Sequence, residues 1–324
     1  MIIVTGGAGF IGSAIVAALN QRGIEDILIV DELGNDEKWK NLRNLRFADY
    51  LELDDFSDTV TNSDEPWQVE AVFHMGACSD TTETDATYLV KNNYEFSKLL
   101  CNWALSINTR FIYASSAATY GDGSEGFSDD EDKIERLRPL NMYGYSKQMF
   151  DLWLKRQGLL DQVVGLKYFN VFGPNEYHKG DMRSFVHKAF EQIRDTGRVR
   201  LFKSHRPDYG DGQQQRDFIY VKDAVEMTLF FAEHPEANGI YNIGTGRART
   251  WNDLARAVFD AMGKEVRIDY IPMPESLQPK YQYFTQADIS KLRAAGCKTP
   301  ITPLEEAVRE YVQDYLLKDR YLGA

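Results

Sequence analysis

Short apolar runs recur along the first half of the chain, with longer amphipathic segments between them. The runs are rich in β-branched residues and comprise residues 2–5, 27–31, 70–75, 110–115 and 163–171. Strands that alternate with helices predict a parallel sheet that is covered by helices on both faces. The sequence therefore predicts an α/β fold built on a doubly wound, Rossmann-like sheet.

The first apolar run passes directly into a turn that is rich in glycine. Gly6, Gly9 and Gly12 follow Ile2-Ile3-Val4, and apolar residues at helical spacing come next, up to Gly23. Without Cβ atoms, such a turn lets a phosphate approach backbone N–H groups and the partly positive start of a helix. The second run ends in Asp31, where an acidic side chain can accept hydrogen bonds from an adenosine ribose. This pattern is typical of a dinucleotide site.

The composition changes beyond Pro174. Polar, basic and aromatic loops occupy residues 175–184 and 203–216, and strand-like runs return at 217–221 and 241–244. The sequence predicts a dinucleotide-binding domain over residues 1–172 with a returning segment at about 217–243. Residues 173–216 and 244–324 are predicted to form a smaller, mixed α/β substrate domain. Apolar residues in 304–317 have the period of an amphipathic helix that serves packing.

The charge and the residue content narrow the possible partners. With 37 basic and 49 acidic residues, the formal net charge of −12 disfavours nucleic acid as a partner. The chain begins directly in a predicted strand and has no apolar segment of membrane-spanning length, so we expect a cytoplasmic protein without a membrane partner. Neither the three cysteines nor the five histidines have ligand spacing, so we expect no metal.

A second cluster carries candidate chemistry. Tyr143 and Lys147 are four residues apart, so on a helix they share one face, and Ser116 lies at the end of the 110–115 run. A free phenol titrates near 10, so a tyrosinate at neutral pH requires about 4 kcal/mol from nearby positive charge. Lys147 and an oxidised nicotinamide are the expected sources. Ser116 would hold the substrate hydroxyl that Tyr143 deprotonates.

The order of glycine turn, Ser-Ser strand end and Tyr-x-x-x-Lys resembles the extended short-chain dehydrogenase/reductase family of nucleotide-sugar enzymes. Its 4,6-dehydratases carry Asp-Glu after the strand-end threonine, whereas Thr119 is followed here by Tyr120-Gly121. The chain is most similar to the branch that epimerises C6 of ADP-linked heptoses. The segments that carry this similarity are 74–79, 115–121, 168–174, 178–180 and 281–288.

The resemblance implies a site, residue by residue. It implies Tyr143 and Lys179 as acid/base residues for the two epimers, beside Lys147 and Ser116. The implied cofactor residues are Gly6, Gly9, Phe10, Ile11, Gly12, Asp31, Glu32, Lys38, Met75, Gly76, Ala77, Cys78, Ser79, Asn92, Lys147, Val171 and Lys179. The implied substrate residues are Ser116, Asn170, Asp181, Lys188, Phe202, Arg216 and Tyr281. In this reading Arg216 meets the ADP diphosphate as a bidentate donor.

Some positions depart from the pattern of that branch. A lysine of the pattern falls on Leu53, so the expected cofactor, NADP, has NAD as an open alternative, which Asp31 favours by repelling a 2′-phosphate. Asp181 replaces a serine, and Lys188 replaces a histidine unless the alignment shifts to His187. The 205–215 loop is also longer than in the pattern.

Other functions stay open on the sequence alone. The alternatives are a UDP-sugar 4-epimerase, a net oxidoreductase, and a non-catalytic dinucleotide sensor that presents its smaller domain to a protein partner. A sensor would leave Tyr143, Lys147 and Lys179 without a role. For the expected epimerase, the resemblance implies a small-molecule nucleotide sugar as the ligand and a homo-oligomer, with a pentamer expected.

Overall fold

The computed structural model describes residues 1–62, 67–275, 277–278 and 281–323. The strands are β1 (Ile2–Thr5), β2 (Ile27–Asp31), β3 (Asp49–Glu52), β4 (Ala71–His74), β5 (Arg110–Ser116), β6 (Val164–Tyr168), β7 (Asn170–Phe172), β8 (Val199–Phe202), β9 (Gln215–Tyr220), β10 (Gly239–Ile243), β11 (Ala248–Thr250) and β12 (Ile268–Ile271). The α-helices are α1 (Phe10–Gln21), α2 (Leu53–Asn62), α3 (Ala86–Leu89), α4 (Phe96–Ser106), α5 (Met142–Gln157), α6 (Phe185–Thr196), α7 (Val221–Glu233), α8 (Trp251–Ala261), α9 (Ser290–Ala294) and α10 (Leu304–Glu310).

The main sheet has seven strands, all parallel, in the order β10-β6-β5-β4-β1-β2-β3. The strand order reverses at β1, which lies between β4 and β2. In such sheets, ligands bind outside the carboxyl ends of the strands at the point of reversal. The predicted Rossmann-like α/β fold is confirmed, and it places the glycine turn after β1 at the expected ligand site.

Both faces of this sheet are buried, which explains why its strands are continuously apolar. Ile2 and Val4 pack into the hydrophobic core on one face, whereas Ile3 packs into the core on the other. The same alternation divides Ile29 from Val30 in β2. Successive side chains of a strand point to opposite faces, so a strand covered on both sides has no polar positions to spare.

The run 163–171, predicted as one strand, divides into two. β6 belongs to the main sheet, whereas β7 pairs with β9 and, through it, with the antiparallel strand β11. The break is at Phe169, whose N–H donates to the carbonyl of Ile243 at the end of β10. β12 and β8 form a further parallel pair. The chain thus leaves the main sheet at the carboxyl end of β6, where the candidate site lies.

Within the predicted returning segment, the strands divide between the sheets: β10 joins the main sheet and β9 joins the small one. The domain boundaries stay a prediction. The predicted terminal helix is confirmed, because α10 continues as a π-helical turn over Tyr311–Tyr315 and buries Leu304, Val308 and Val312. In the described part of the chain, every helix is too short or too polar to cross a lipid bilayer.

Candidate active site

A cavity of about 800 Å³ opens at the carboxyl ends of β1, β4, β5 and β6. Most of the predicted cofactor and catalytic residues line it, together with two of the predicted substrate residues, Asn170 and Lys188. These are Gly6, Gly9, Phe10, Ile11, Gly12, Asp31, Lys38, Met75, Gly76, Ala77, Cys78, Ser79, Ser116, Tyr143, Lys147, Asn170, Val171, Lys179 and Lys188.

The glycine turn is packed too tightly for side chains. A Cβ atom at Gly12 would lie 2.0 Å from the carbonyl oxygen of Gly6, and one at Gly6 would lie 2.6 Å from the backbone nitrogen of Gly76. Gly6 also has a φ of +65°, in the left-handed region that favours glycine. Gly9 is the N-cap of α1 and offers no side-chain cap, and the first-turn residues Phe10, Ile11 and Gly12 line the cavity, so their N–H groups can serve as donors for a phosphate.

Asp31 connects the end of β2 to this turn. Its carboxylate accepts hydrogen bonds from the Ala8 N–H and the Glu32 N–H, each at 2.8 Å, and from the Lys38 Nζ at 3.0 Å. The Asp31–Lys38 ion pair places a positive charge where the ribose edge of a dinucleotide would lie. Lys38 therefore partly neutralises the charge of Asp31 at the wall of the cavity.

The loop after β4 forms the opposite wall of the cofactor part of the cavity. The amide of Asn93 accepts from the Cys78 N–H and donates to the Cys78 carbonyl, each at 2.9 Å, and it donates to Ser146 Oγ at 2.9 Å. Asn93 lies in a π-helical turn over Val90–Glu95. The loop of residues 75–79 is thereby fixed against α5.

Tyr143, Lys147 and Ser116 meet in this cavity as the spacing predicts. Asn141 caps α5 by accepting from the Gly144 N–H at 2.8 Å, and the Lys147 Nζ donates to the Ala114 carbonyl at 2.9 Å.

Burial lowers the pKa of Lys147 to about 8, although the nearby Asp151 carboxylate opposes this. Burial raises the pKa of Tyr143, and the Ser116 hydroxyl opposes the rise. Lys147 alone therefore does not supply the predicted lowering of the Tyr143 pKa, because burial desolvates both groups.

A buried ion pair lies behind these residues. The Lys167 Nζ donates to Asp151 Oδ2 at 2.6 Å and to Thr119 Oγ1 at 2.7 Å. Asp151 also accepts from Tyr113 OH at 2.9 Å and Ser115 Oγ at 2.8 Å. Both charged side chains are essentially inaccessible, at 1% and 0% exposure. The pair joins β6 to β5, which carries Ser116, and to α5, which carries Tyr143 and Lys147.

Lys179 reaches the same cavity from a loop. Its Nζ lies over the Phe10 ring, 5.6 Å from the centroid, at the start of α1. Burial lowers the pKa of Lys179, and the carboxylate of Glu176 opposes this. Asn41 anchors the loop to the glycine turn, since its amide donates to the carbonyls of Ala8 (2.8 Å) and Asn175 (3.0 Å). The ammonium therefore lies beside the predicted cofactor position and not in bulk water.

A second cavity of about 610 Å³ adjoins the first, and the two share Phe185, Lys188 and Trp251. Phe202 and Tyr281 line it, and the Arg216 guanidinium lies 5.2 Å from the Tyr281 ring centroid and 5.7 Å from that of Trp251. Arg216 is buried, and burial lowers its pKa. A buried guanidinium among aromatic rings offers a favourable site for an anion.

Four predicted residues, Glu32, Asn92, Asp181 and Arg216, do not line either cavity. Glu32 and Asp181 are exposed, Asn92 is half-buried beside Asn93, and Arg216 is buried against the rings of Trp251 and Tyr281. In the π-helical turn it is Asn93, not Asn92, that holds the loop at Cys78. The roles of Glu32, Asn92 and Asp181 stay predictions.

The structure adds residues that the sequence did not reveal. Asp151 stands four residues after Lys147, so the same helical spacing that identified Lys147 could have found it. No such signal marks Glu176, Lys167 or Trp251, because each gains its contacts only through the tertiary fold. Among the described residues, no group of three or more histidine, cysteine or acidic side chains is arranged to hold a metal. The absence of a metal stays a prediction.

Known proteins share both the sequence pattern and this architecture. Residues 2–244 match the NAD dependent epimerase/dehydratase family. A protein of Nitratidesulfovibrio vulgaris (strain DP4) named ADP-L-glycero-D-manno-heptose-6-epimerase is 60% identical over 316 residues, covering 98% of each chain. The crystal structure of the Helicobacter pylori ADP-L-glycero-D-manno-heptose-6-epimerase matches with a TM-score of 0.82 at 27% identity, over 97% of this chain and 95% of that one.

A related structure shows the cofactor class. The Thermus thermophilus UDP-glucose 4-epimerase in complex with NAD matches with a TM-score of 0.76 at 26% identity, over 96% of this chain and 97% of that one. The chain belongs to the NAD dependent epimerase/dehydratase family. Within that family, the chain has high sequence identity, over nearly its full length, to a protein named ADP-L-glycero-D-manno-heptose-6-epimerase. The glycine turn, Asp31 and the 75–79 loop fit a nicotinamide cofactor.

Proposed function

We propose that this chain inverts C6 of ADP-D-glycero-β-D-manno-heptose to give ADP-L-glycero-β-D-manno-heptose. The observation that carries the proposal is that Tyr143 and Lys179 line one cavity from two separate elements, beside the turn that fits a dinucleotide. The name and the high identity of the Nitratidesulfovibrio relative support the choice of substrate.

Two proton carriers match the chemistry of this inversion. The C6 carbinol becomes a planar ketone when its carbon loses a hydride and its hydroxyl loses a proton. Return of the hydride to the opposite face of the carbonyl carbon, with a proton returned to the oxygen, inverts the centre. The bound nicotinamide supplies the hydride acceptor and donor. Because the oxygen occupies a different position in each epimer, one base cannot easily serve both. Tyr143 is assigned to one epimer and Lys179 to the other, and rotation about the exocyclic arm presents the second face.

The remaining residues orient these groups. Ser116 holds the reacting hydroxyl, and Lys147 stabilises the deprotonated form of Tyr143 by its charge. Arg216, with Tyr281, Phe202 and Lys188, is proposed to bind the ADP part in the second cavity, and Asn170 and Asp181 are proposed to complete the substrate site. An aromatic and cationic lining suits an adenine linked to a diphosphate.

NADP is the proposed form of the cofactor, with NAD as the alternative. The Lys38 ammonium, 3.0 Å from Asp31 Oδ1, is positioned to move onto a 2′-phosphate. A Lys38→Ala variant should bind NADP about tenfold more weakly and leave NAD binding unchanged, because a charge-assisted hydrogen bond is lost. Equal losses for both cofactors in fluorescence titrations would remove the argument for NADP.

Incubation of the purified, cofactor-loaded enzyme with ADP-D-glycero-β-D-manno-heptose tests the function directly. NMR should show conversion to a mixture of the two C6 epimers without accumulation of reduced cofactor. Net reduction would instead indicate an oxidoreductase, and an intact cofactor without any conversion would contradict the substrate assignment.

The likeness to the Thermus thermophilus enzyme makes a UDP-sugar 4-epimerase the second candidate. Such an enzyme turns the sugar ring over so that a single tyrosine serves both configurations, and Lys179 would then be dispensable. A Lys179→Ala variant with unchanged turnover of a UDP-sugar would favour that candidate.

Assembly and location complete the proposal. We propose a cytoplasmic homo-oligomer, with a pentamer as the specific expectation. Sedimentation equilibrium of the holoenzyme should give five times the 37.1 kDa chain mass. A monomeric mass would contradict it.

A further inference from the structure

Glu176 is a buried acid that the catalytic scheme does not use. Its side chain is 1% exposed, and it lines the main cavity together with Lys179, three residues further along the chain. Acidic residues are rarely this deeply buried unless they are hydrogen-bonded or paired. Its contacts therefore indicate what it does.

The carboxylate closes the loop that carries Lys179. The loop leaves β7 at Gly173 and ends at Ser184, the N-cap of α6. Glu176 accepts from the Ser184 N–H at 2.5 Å, from Ser184 Oγ at 2.6 Å and from the Gly173 N–H at 3.4 Å. One side chain thus ties both ends of the loop.

The same residue lies close to Lys179, because the Lys179 N–H donates to the Glu176 carbonyl at 3.1 Å and both side chains line the main cavity. Burial raises the pKa of Glu176, whereas its hydrogen bonds from Ser184 and the charge of Lys179 oppose the rise. Glu176 in turn opposes the lowering of the Lys179 pKa. The two groups are therefore coupled, each favouring the charged form of the other.

Glu176 is the acid whose charge acts on Lys179. Other titratable and charged groups surround the two residues. From the C-terminal segment, the Tyr311 hydroxyl faces Glu176. Burial lowers the pKa of His178 to about 4, so this histidine is neutral at working pH. Arg183 is paired with Glu191 at 2.8 Å. The wall of the main cavity also carries further titratable side chains, namely Asp31, Asp36, Lys38, Cys78, Asp80, Tyr143, Lys147, Tyr168 and Lys188.

We propose that Glu176 is the positioning residue for Lys179: it closes the 173–184 loop and sets the protonation of the Lys179 amine through its negative charge. This inference rests on the proposed function, since it assigns a partner to the second proton carrier. A purely structural Glu176 would hold the loop without influencing proton transfer.

The test compares the loss of the charge with the loss of the loop closure. Glu176→Gln keeps the size and removes the charge, whereas Ser184→Ala removes a closing hydrogen bond and keeps the charge. The rate of epimerisation by the cofactor-loaded enzyme is measured against pH from each epimer. Lys179 acts as a base in one direction and as an acid in the other.

Without the negative charge, the pKa of Lys179 falls. In the direction where Lys179 acts as a base, the rate rises with pH as Lys179 loses its proton; in the direction where it acts as an acid, the rate falls with pH. In Glu176→Gln, the midpoints of both pH–rate profiles should move to lower pH by about one unit. Ser184→Ala should slow turnover without this movement. A Glu176→Gln profile that coincides with wild type, or an equal movement in Ser184→Ala, would overturn the inference.

Two further measurements keep the outcomes distinct. Glu176→Asp retains the charge, so it should keep the wild-type midpoint even if turnover falls; if Glu176→Gln does not fold, a moved midpoint in Glu176→Asp overturns the proposal. Wild-type enzyme that epimerises neither substrate would contradict the proposed function itself, together with this inference.

Discussion

Tyr143 and Lys179 reach the same cavity from two very different supports. Tyr143 lies on α5, a sixteen-residue helix whose inner face is fixed by the buried Asp151–Lys167 pair. Lys179 lies in a loop with two short 3₁₀ turns that meet at a kink at Gly180, and the side chains of Asn41 and Glu176 fix this loop. Regular helix geometry and burial in the core determine the position of Tyr143, whereas a few individual hydrogen bonds determine the position of Lys179.

This difference suggests a division of tasks. A helix-mounted phenol is held in place without further contacts, while a loop-mounted amine can adjust to a substrate whose reacting oxygen changes position. This division requires that both Tyr143 and Lys179 carry protons. It also requires that the helix and the loop that hold them contribute differently to the stability of the protein.

Tyr143→Phe should have the largest effect. It removes the proton carrier on the helix while it preserves the ring, and we expect epimerisation to fall by roughly 10³-fold, in the range for loss of a general acid or base. The control is Tyr145→Phe on the same helix, where the side chain is 47% exposed and turnover should stay at the wild-type level. Similar rates for the two variants in the NMR assay would exclude Tyr143 as a proton carrier.

Asp151→Asn tests the support of the helix. It leaves the Lys167 ammonium buried without its counter-charge, so the free energy of unfolding should fall by about 3 kcal/mol. The matched control is Asp314→Asn, which breaks the exposed Asp314–Lys318 pair and should leave the free energy of unfolding nearly unchanged, because solvent screens this pair. Urea denaturation followed by circular dichroism measures both, and equal losses would contradict the role of the buried pair.

Asn41→Ala tests the support of the loop. It removes hydrogen bonds from a buried amide to the carbonyls of Ala8 and Asn175, so we expect a smaller loss of about 2 kcal/mol. The exposed Asn35→Ala serves as the control, with a change within about 0.5 kcal/mol. A loss in Asn41→Ala as large as that in Asp151→Asn would remove the difference between the two supports.

The helix side of the comparison could be predicted from the sequence. Apolar runs marked β1, β2, β4 and β5, and the spacing of Tyr143 and Lys147 placed them on one face of a helix. The edge strand β3 was missed, because Asp49 and Glu52 are exposed and leave no apolar run. The break at Phe169 was also missed, since an apolar run does not indicate where a strand changes sheets.

The loop side could not be predicted from the residues alone. Only a family resemblance pointed to Lys179, because a lysine in a polar loop carries no periodic signal. Glu176 and Asn41 could not be identified from the sequence either, because their hydrogen-bond partners are distant in sequence or lie in irregular backbone. Local spacing identifies residues that share an element, whereas residues brought together by loops require the tertiary structure.

The most direct test of two separate proton carriers is the half-reaction of each variant with each single epimer. The absorbance of reduced nicotinamide after mixing reports whether the substrate can lose its proton and hydride. We predict that Lys179→Met still reduces the cofactor with one epimer and fails with the other, and that Tyr143→Phe shows the opposite preference. Loss of reduction with the same epimer in both variants would contradict the account.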